Sequence, residues 1–103
     1  MTVYEFRHTI YIWEDNDTSV TTLIFEKEED AIEYLNGKKD NIIDEYCIEL
    51  NIPCSIENLK QYMFLNDECY DEIIDREKYF SVELVSYGRD TLEVTKKDVL
   101  KFI

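Results

Sequence analysis

From Val3 to Trp13 the chain alternates: Tyr4, Phe6, His8, Ile10 and Ile12 fall on one side of an extended segment, and Glu5, Arg7, Thr9, Tyr11 and Trp13 on the other. Glu14-Asp15-Asn16-Asp17 is turn chemistry, since Asn and Asp hydrogen-bond their own backbone and tolerate unusual dihedrals. Thr18 to Phe25 is rich in β-branched residues and is expected to pair back as the second strand of a hairpin. The period then changes. Glu28 to Asn36 reads as a short helix with Glu28, Glu29 and Asp30 in its first turn, Ala31, Ile32 and Leu35 inward and Gly37 as its stop. Asp40 to Leu50 reads as a second helix, with Ile42, Ile43, Tyr46, Cys47 and Leu50 gathered in an arc of about 140°. Pro53 ends it, and Ser55 caps a third helix carrying Ile56, Leu59 and Met63.

Asn66 is read as the cap of a fourth helix running from Asp67 to about Asp75. Its apolar side is Cys69, Tyr70, Ile73 and Ile74; its acidic side is Asp67, Glu68, Asp71, Glu72 and Asp75. Strand alternation returns from Tyr79 to Tyr87, with Phe80, Val82 and Leu84 on one face. Gly88-Arg89-Asp90 reads as a turn and Thr91 to Val94 as a short partner strand. Residues 96–103 admit either a closing helical turn capped by Thr95 or a final strand. The expected order is ββ–αααα–ββ within one domain, residues 1–103: an α+β fold with an antiparallel sheet of about four strands and helices on one face.

Composition changes the picture through charge. The chain has 103 residues, 24 acids and 11 bases, for a net charge of −13. Glu26 through Asp75, the segment read as helical, holds 15 acids against 4 bases, a net −11, so the helical layer displays nearly all of the excess. Eight Tyr, five Phe and only two Gly and one Pro argue for a folded globule rather than a disordered acidic chain. Such a field repels nucleic acid and anionic membrane and attracts basic surfaces, including the grooves in which other proteins hold nucleic acid. No signal segment opens the chain, no apolar run approaches the ~20 residues that span a bilayer, and three cysteines are an odd number. A cytoplasmic protein with reduced thiols is expected.

The residues that carry chemistry elsewhere are not arranged for it here. His8 is the only histidine and sits mid-strand between Phe6 and Ile10, where a structural role is expected. Cys47, Cys54 and Cys69 lack the close pair with which structural zinc sites begin, and Cys47 and Cys69 fall on apolar helical faces. Asp15, Asp17 and Glu26 imitate the first, third and twelfth positions of a calcium loop, but Val20 stands where that loop requires Gly. There is no glycine-rich phosphate loop and no Ser/His/Asp or Cys–His order. No catalytic residue, cofactor or metal is expected.

What remains is acidic surface. Asp67, Asp71 and Asp75 stand at i, i+4, i+8 on the expected fourth helix, with Glu68 and Glu72 beside them. Asp40, Asp44, Glu45 and Glu49 make a second patch, and Ile48 lies among them opposite the core stripe. Like charges at i, i+4 destabilise a helix by a few tenths of a kcal/mol each, so stability alone would interleave lysines. A solvated face that keeps the domain soluble is one reading and a partner-binding face the other. Ile48 is either an interface anchor or packed against a neighbouring element.

In size, charge and the carboxylate rows Asp67/Asp71/Asp75 and Glu68/Glu72, the chain resembles the small acidic proteins that phages and other mobile elements direct against host defence, the anti-CRISPR and DNA-mimicking anti-restriction proteins. The resemblance implies a mode: a non-enzymatic inhibitor in the host cytoplasm that binds a basic, nucleic-acid-binding surface of a partner such as a CRISPR effector or nuclease. Its expected contact residues are Asp67, Glu68, Asp71, Glu72, Asp75, Asp44, Glu45, Ile48 and Glu49. The alternative is a structural or regulatory subunit that self-associates, as a homodimer for example, through a sheet face bearing Tyr11, Trp13, Tyr79 and Tyr87.

Overall fold

The computed structural model describes residues 1–14, 16–65 and 71–99. Among them it holds five strands and two helices: β1 (Thr2–Ile12), β2 (Asp17–Phe25), α1 (Glu28–Leu50), α2 (Ile56–Leu65), β3 (Glu72–Arg76), β4 (Tyr79–Leu84) and β5 (Gly88–Asp98). The architecture is α+β, but the expectation of four strands and four helices is wrong in both numbers. The sheet is antiparallel throughout, in the order β2-β1-β5-β4-β3.

The β1–β2 hairpin forms over its full length, from Tyr4↔Phe25 to Ile12↔Asp17. Asn16 turns the corner in the left-handed region at φ 49°, a conformation its short polar side chain tolerates, and its side chain accepts a hydrogen bond from the Tyr11 hydroxyl.

The two helices expected on either side of Gly37 are one. Ala31, Leu35, Ile42 and Tyr46 stay within one arc at 100° per residue, so the buried stripe runs through Gly37 in phase. A C-terminal glycine stops a helix by taking positive φ, and Gly37 does not. The stop is Asn51, left-handed at φ 56°. Its N–H bonds Ile48 O at 3.1 Å and the N–H of Ile52 bonds Cys47 O at 3.0 Å, the paired bonds of a Schellman end. Ser55 caps α2 through a 3.0 Å bond from the N–H of Asn58.

The expected fourth helix is overturned where it is described. Glu72–Arg76 is a strand hairpinned to β4. Adjacent isoleucines fit a helical stripe and a strand equally; in the strand Ile73 pairs with Val82 and packs on the core, while Ile74 takes the other face. Pairing with β4, whose Phe80, Val82 and Leu84 are buried, decides it. The first part of that helix, with Asn66, Asp67, Glu68, Cys69 and Tyr70, lies outside the described residues.

The C-terminal end also differs. β5 is an eleven-residue strand against all of β1, Thr2↔Asp98 to Ile12↔Gly88, so the strand alternative holds through Asp98, and residues 100–103 lie outside the described set. Gly88, expected to be a turn residue, lies in β5, where a Cβ would collide with the Tyr11 carbonyl oxygen.

α1 and α2 cover one face of β1, β5 and β4. Phe6, Phe80, Val82, Leu84, Leu92 and Val94 from the sheet meet Ala31, Leu35, Ile42, Ile43, Tyr46, Cys47, Leu59 and Met63 from the helices. Each fully buried large side chain contributes roughly 1.5–3 kcal/mol relative to exposure. β2 meets α1 where Phe25 packs on Tyr34, and eight of its nine residues are exposed.

Candidate partner-binding surface

The outer face of α1 carries seven exposed carboxylates: Glu29, Asp30, Glu33, Asp40, Asp44, Glu45 and Glu49. From Glu29 to Glu49 they extend over ~30 Å at the helical rise. None of them forms an ion pair with a described residue, because the lysines of the same helix are drawn elsewhere. Lys38 lies 5.6 Å from the centroid of the Tyr34 ring, and Lys39 reaches Asp75 at 3.1 Å. The last turn of α1 has no base. Glu45 and Glu49 thus crowd the negative end of the helix dipole, where a cation would be favoured by 0.3–1 kcal/mol. Ile48, 71% exposed, stands among Asp44, Glu45 and Glu49, so the packed reading of this residue does not hold.

The other expected acids are not a helical row. Asp67 and Glu68 lie outside the described residues. Asp71 precedes β3 and accepts the N–H of Val85 at 2.9 Å. Glu72 and Asp75 are on β3 at opposite parities, so they take opposite faces of the sheet. Asp75 is held by Lys39 at 3.1 Å and Lys60 at 3.3 Å. Burial alone would raise its pKa, but the hydrogen bonds and charges of the two lysines outweigh it and keep the carboxyl below its ordinary value. The structure thus brings Asp44, Glu45, Ile48 and Glu49 together and disperses the rest. The two-lysine clamp on Asp75 was invisible in sequence, since Lys39 and Lys60 are 36 and 15 residues away.

A polar cluster lies in the core. Asp90 is buried and accepts hydrogen bonds from His8 Nε2 at 2.7 Å and Tyr46 Oη at 2.8 Å. Burial and then the Asp90 carboxylate push the Tyr46 phenol far above its ordinary range, so it stays a donor. Among the described residues no nucleophile hydrogen-bonds the His8 ring. The arrangement satisfies a buried charge and orients β1, β5 and α1 on one another. Strand periodicity located His8 but not Asp90, whose Gly-Arg-Asp setting suggests a turn.

Cys47 is buried and Cys54 exposed, and neither is in a disulfide. Desolvation and the Asp44 carboxylate raise the Cys54 pKa, so the thiol form dominates at neutral pH. No group of three or more His, Cys, Asp or Glu among the described residues is disposed to hold a metal ion. Nor is any described helix long and apolar enough to cross a membrane.

The aromatics expected on a bare sheet face are tied to the body. Tyr11 and Trp13 pack at 4.4 Å between centroids, Trp13 Nε1 donates to Leu84 O at 2.9 Å, and Tyr87 stacks edge-on against Tyr46 at 5.6 Å. Tyr79 borders a polar hollow of ≈ 340 Å³ with Thr9, Glu72, Ser81, Glu83 and Arg89. Comparison with protein-family models, with curated proteins and with solved structures finds no match to this chain.

Proposed function

We propose that the protein acts without catalysis, as an acidic inhibitor whose α1 face occupies a basic, nucleic-acid-binding groove of a partner protein, such as a CRISPR effector or a nuclease. The observation that supports this is the uncompensated carboxylate face: seven exposed acids on one helix, with that helix's own lysines in no ion pair with them. One strand of duplex DNA presents a charge about every 3.4 Å, and the α1 acids average one per ~4 Å of helix, a comparable density spread over the exposed side of the helix. Asp44, Glu45 and Glu49 are the leading contacts and Ile48 the apolar anchor among them. Asp67, Glu68, Asp71 and Glu72 remain candidates, whereas Asp75 is already neutralised by its lysines.

The test is capture from a host lysate by wild type and by the variant Asp44→Asn/Glu45→Gln/Glu49→Gln. The expected result is a basic nucleic-acid-binding protein retained at low salt, released as salt rises, displaced by added duplex DNA and lost with the variant. A partner that binds the variant as tightly as wild type, or that holds the protein and DNA together, overturns the proposal.

A further inference from the structure

β2 is a sheet edge, uncharged after Asp17. Thr18 through Phe25 carry no charge, in a chain of which 34% is charged. Val20 and Ile24, 56% and 60% exposed, project from one face of the strand, and Leu23 from the other. Its register with β1 is unbroken from Phe25 to Asp17, so no bulge turns the edge away, and it contains neither Pro nor Lys. Proteins that keep a sheet edge from pairing use those devices. The opposite edge uses two of them: β3 is five residues long and carries Glu72, Asp75 and Arg76.

We propose that β2 pairs antiparallel with β2 of a second copy of this chain, across a two-fold axis at Thr21, to form a continuous ten-stranded sheet. The charge distribution selects a second copy. In a two-fold contact the same patch meets itself and groups near the axis lie close to their own images, so a molecule of net charge −13 meets itself best through a neutral stretch, and β2 is one. With Thr21 opposite Thr21, Val20 faces Thr22, Ser19 faces Leu23 and Thr18 faces Ile24. Every pair from Thr18 to Ile24 is uncharged, Asp17 at the strand end faces Phe25, and each pair falls on a matching face. Immediately behind, Glu5 pairs with Arg7 at 2.8 Å and with Lys97 at 3.3 Å. Nine residues of added strand bury on the order of 1,000 Å² in total, at the low end of specific interfaces, so the dimer is weak, with a dissociation constant of micromolar order. This contact is independent of the α1 face and responds to salt in the opposite sense. Screening relieves repulsion between two acidic copies and tightens the dimer, whereas it loosens α1 from a basic groove.

Sedimentation velocity on the full chain across the micromolar range, at low and high salt, tests the proposal. A reversible dimer that strengthens with salt is expected. Thr21→Lys puts two ammonium groups face to face at the axis and is expected to raise the dissociation constant at least about tenfold. Thr95→Lys, the same charge change at an exposed position on β5, is expected to leave it unchanged. Hydrogen exchange of wild type supplies a readout that needs no variant: β2 amides gain protection with concentration, while those of β3 do not. A wild type that stays monomeric at high salt overturns the proposal. So do equal losses in the two variants, and so does concentration-dependent protection outside β2.

Discussion

At one edge of the sheet, β3 is short and charged, and the Asp75 bridges to Lys39 and Lys60 fasten it to both helices. At the other, β2 is nine residues long, neutral from Thr18 to Phe25, and joined to the body through β1 and through Phe25 against Tyr34. The same chain thus closes one edge and leaves the other bare. An open neutral edge contributes no packing and invites association, so folding alone does not account for it. The outer face of α1 repeats the lesson in charge: its acids repel one another and the helix end, although lysines are present nearby. Stability accounts for β3. The contacts proposed above would account for β2 and α1.

The comparison breaks most sharply under truncation at matched positions. Ile73→Ala on β3 removes a side chain packed on the core and is expected to cost about 2 kcal/mol. Ile24→Ala on β2 removes one that is 60% exposed and is expected to change monomer stability by less than about 0.5 kcal/mol. Urea unfolding at low protein concentration measures both. Equal losses would show that β2 is fastened as firmly as β3.

A smaller effect sharpens the picture of the closed edge. Asp75 has a folded pKa below its ordinary 3.8, so its lysine contacts stabilise the fold fully above that value, and the contribution is lost as pH falls through the folded pKa. Allowing for the solvent that reaches Lys60, the contribution is about 1 kcal/mol. Asp75→Asn is therefore expected to lower stability by about that much at neutral pH and to match wild type in strong acid. Urea melts as a function of pH test this; a difference that persists in acid strong enough to protonate Asp75 in both states would mean that the carboxamide disturbs packing instead.

Much of the fold was legible because short-range patterns and tertiary contacts agree. The first hairpin, the Ser55 cap and the core faces of Phe80, Val82, Leu84, Ile42, Ile43 and Tyr46 lie where periodicity puts them. It fails where one pattern serves two structures. Ile73-Ile74 suits a helix or a strand, and only the buried partner strand β4 chooses. Gly37 resembles a stop, but a stripe continuing in phase on both sides overrides it. Thr95 resembles a cap, but β1 takes β5 as its partner through Asp98. The acidic face of α1 was readable as Asp40, Asp44, Glu45 and Glu49, because an exposed helical face needs no distant partner. The clamp on Asp75 and the Asp90 cluster were not, since each depends on residues brought together by the completed sheet.

The smallest effect isolates the charge of α1 from its structure. Asp44→Asn/Glu45→Gln/Glu49→Gln keeps side-chain shape nearly constant and removes three charges. It relieves the Asp40–Asp44 and Glu45–Glu49 repulsions, each worth a few tenths of a kcal/mol, and unloads the negative end of the helix. None of the three carboxylates has a cationic partner among the described residues, so no attraction is lost. The triple variant is expected to be more stable than wild type by about 0.5 kcal/mol, a gain that added salt diminishes. Thermal melts at low and high salt measure it. A variant less stable than wild type would show that these acids serve the fold, and the contrast between a fastened β3 and an unfastened α1 surface would then collapse.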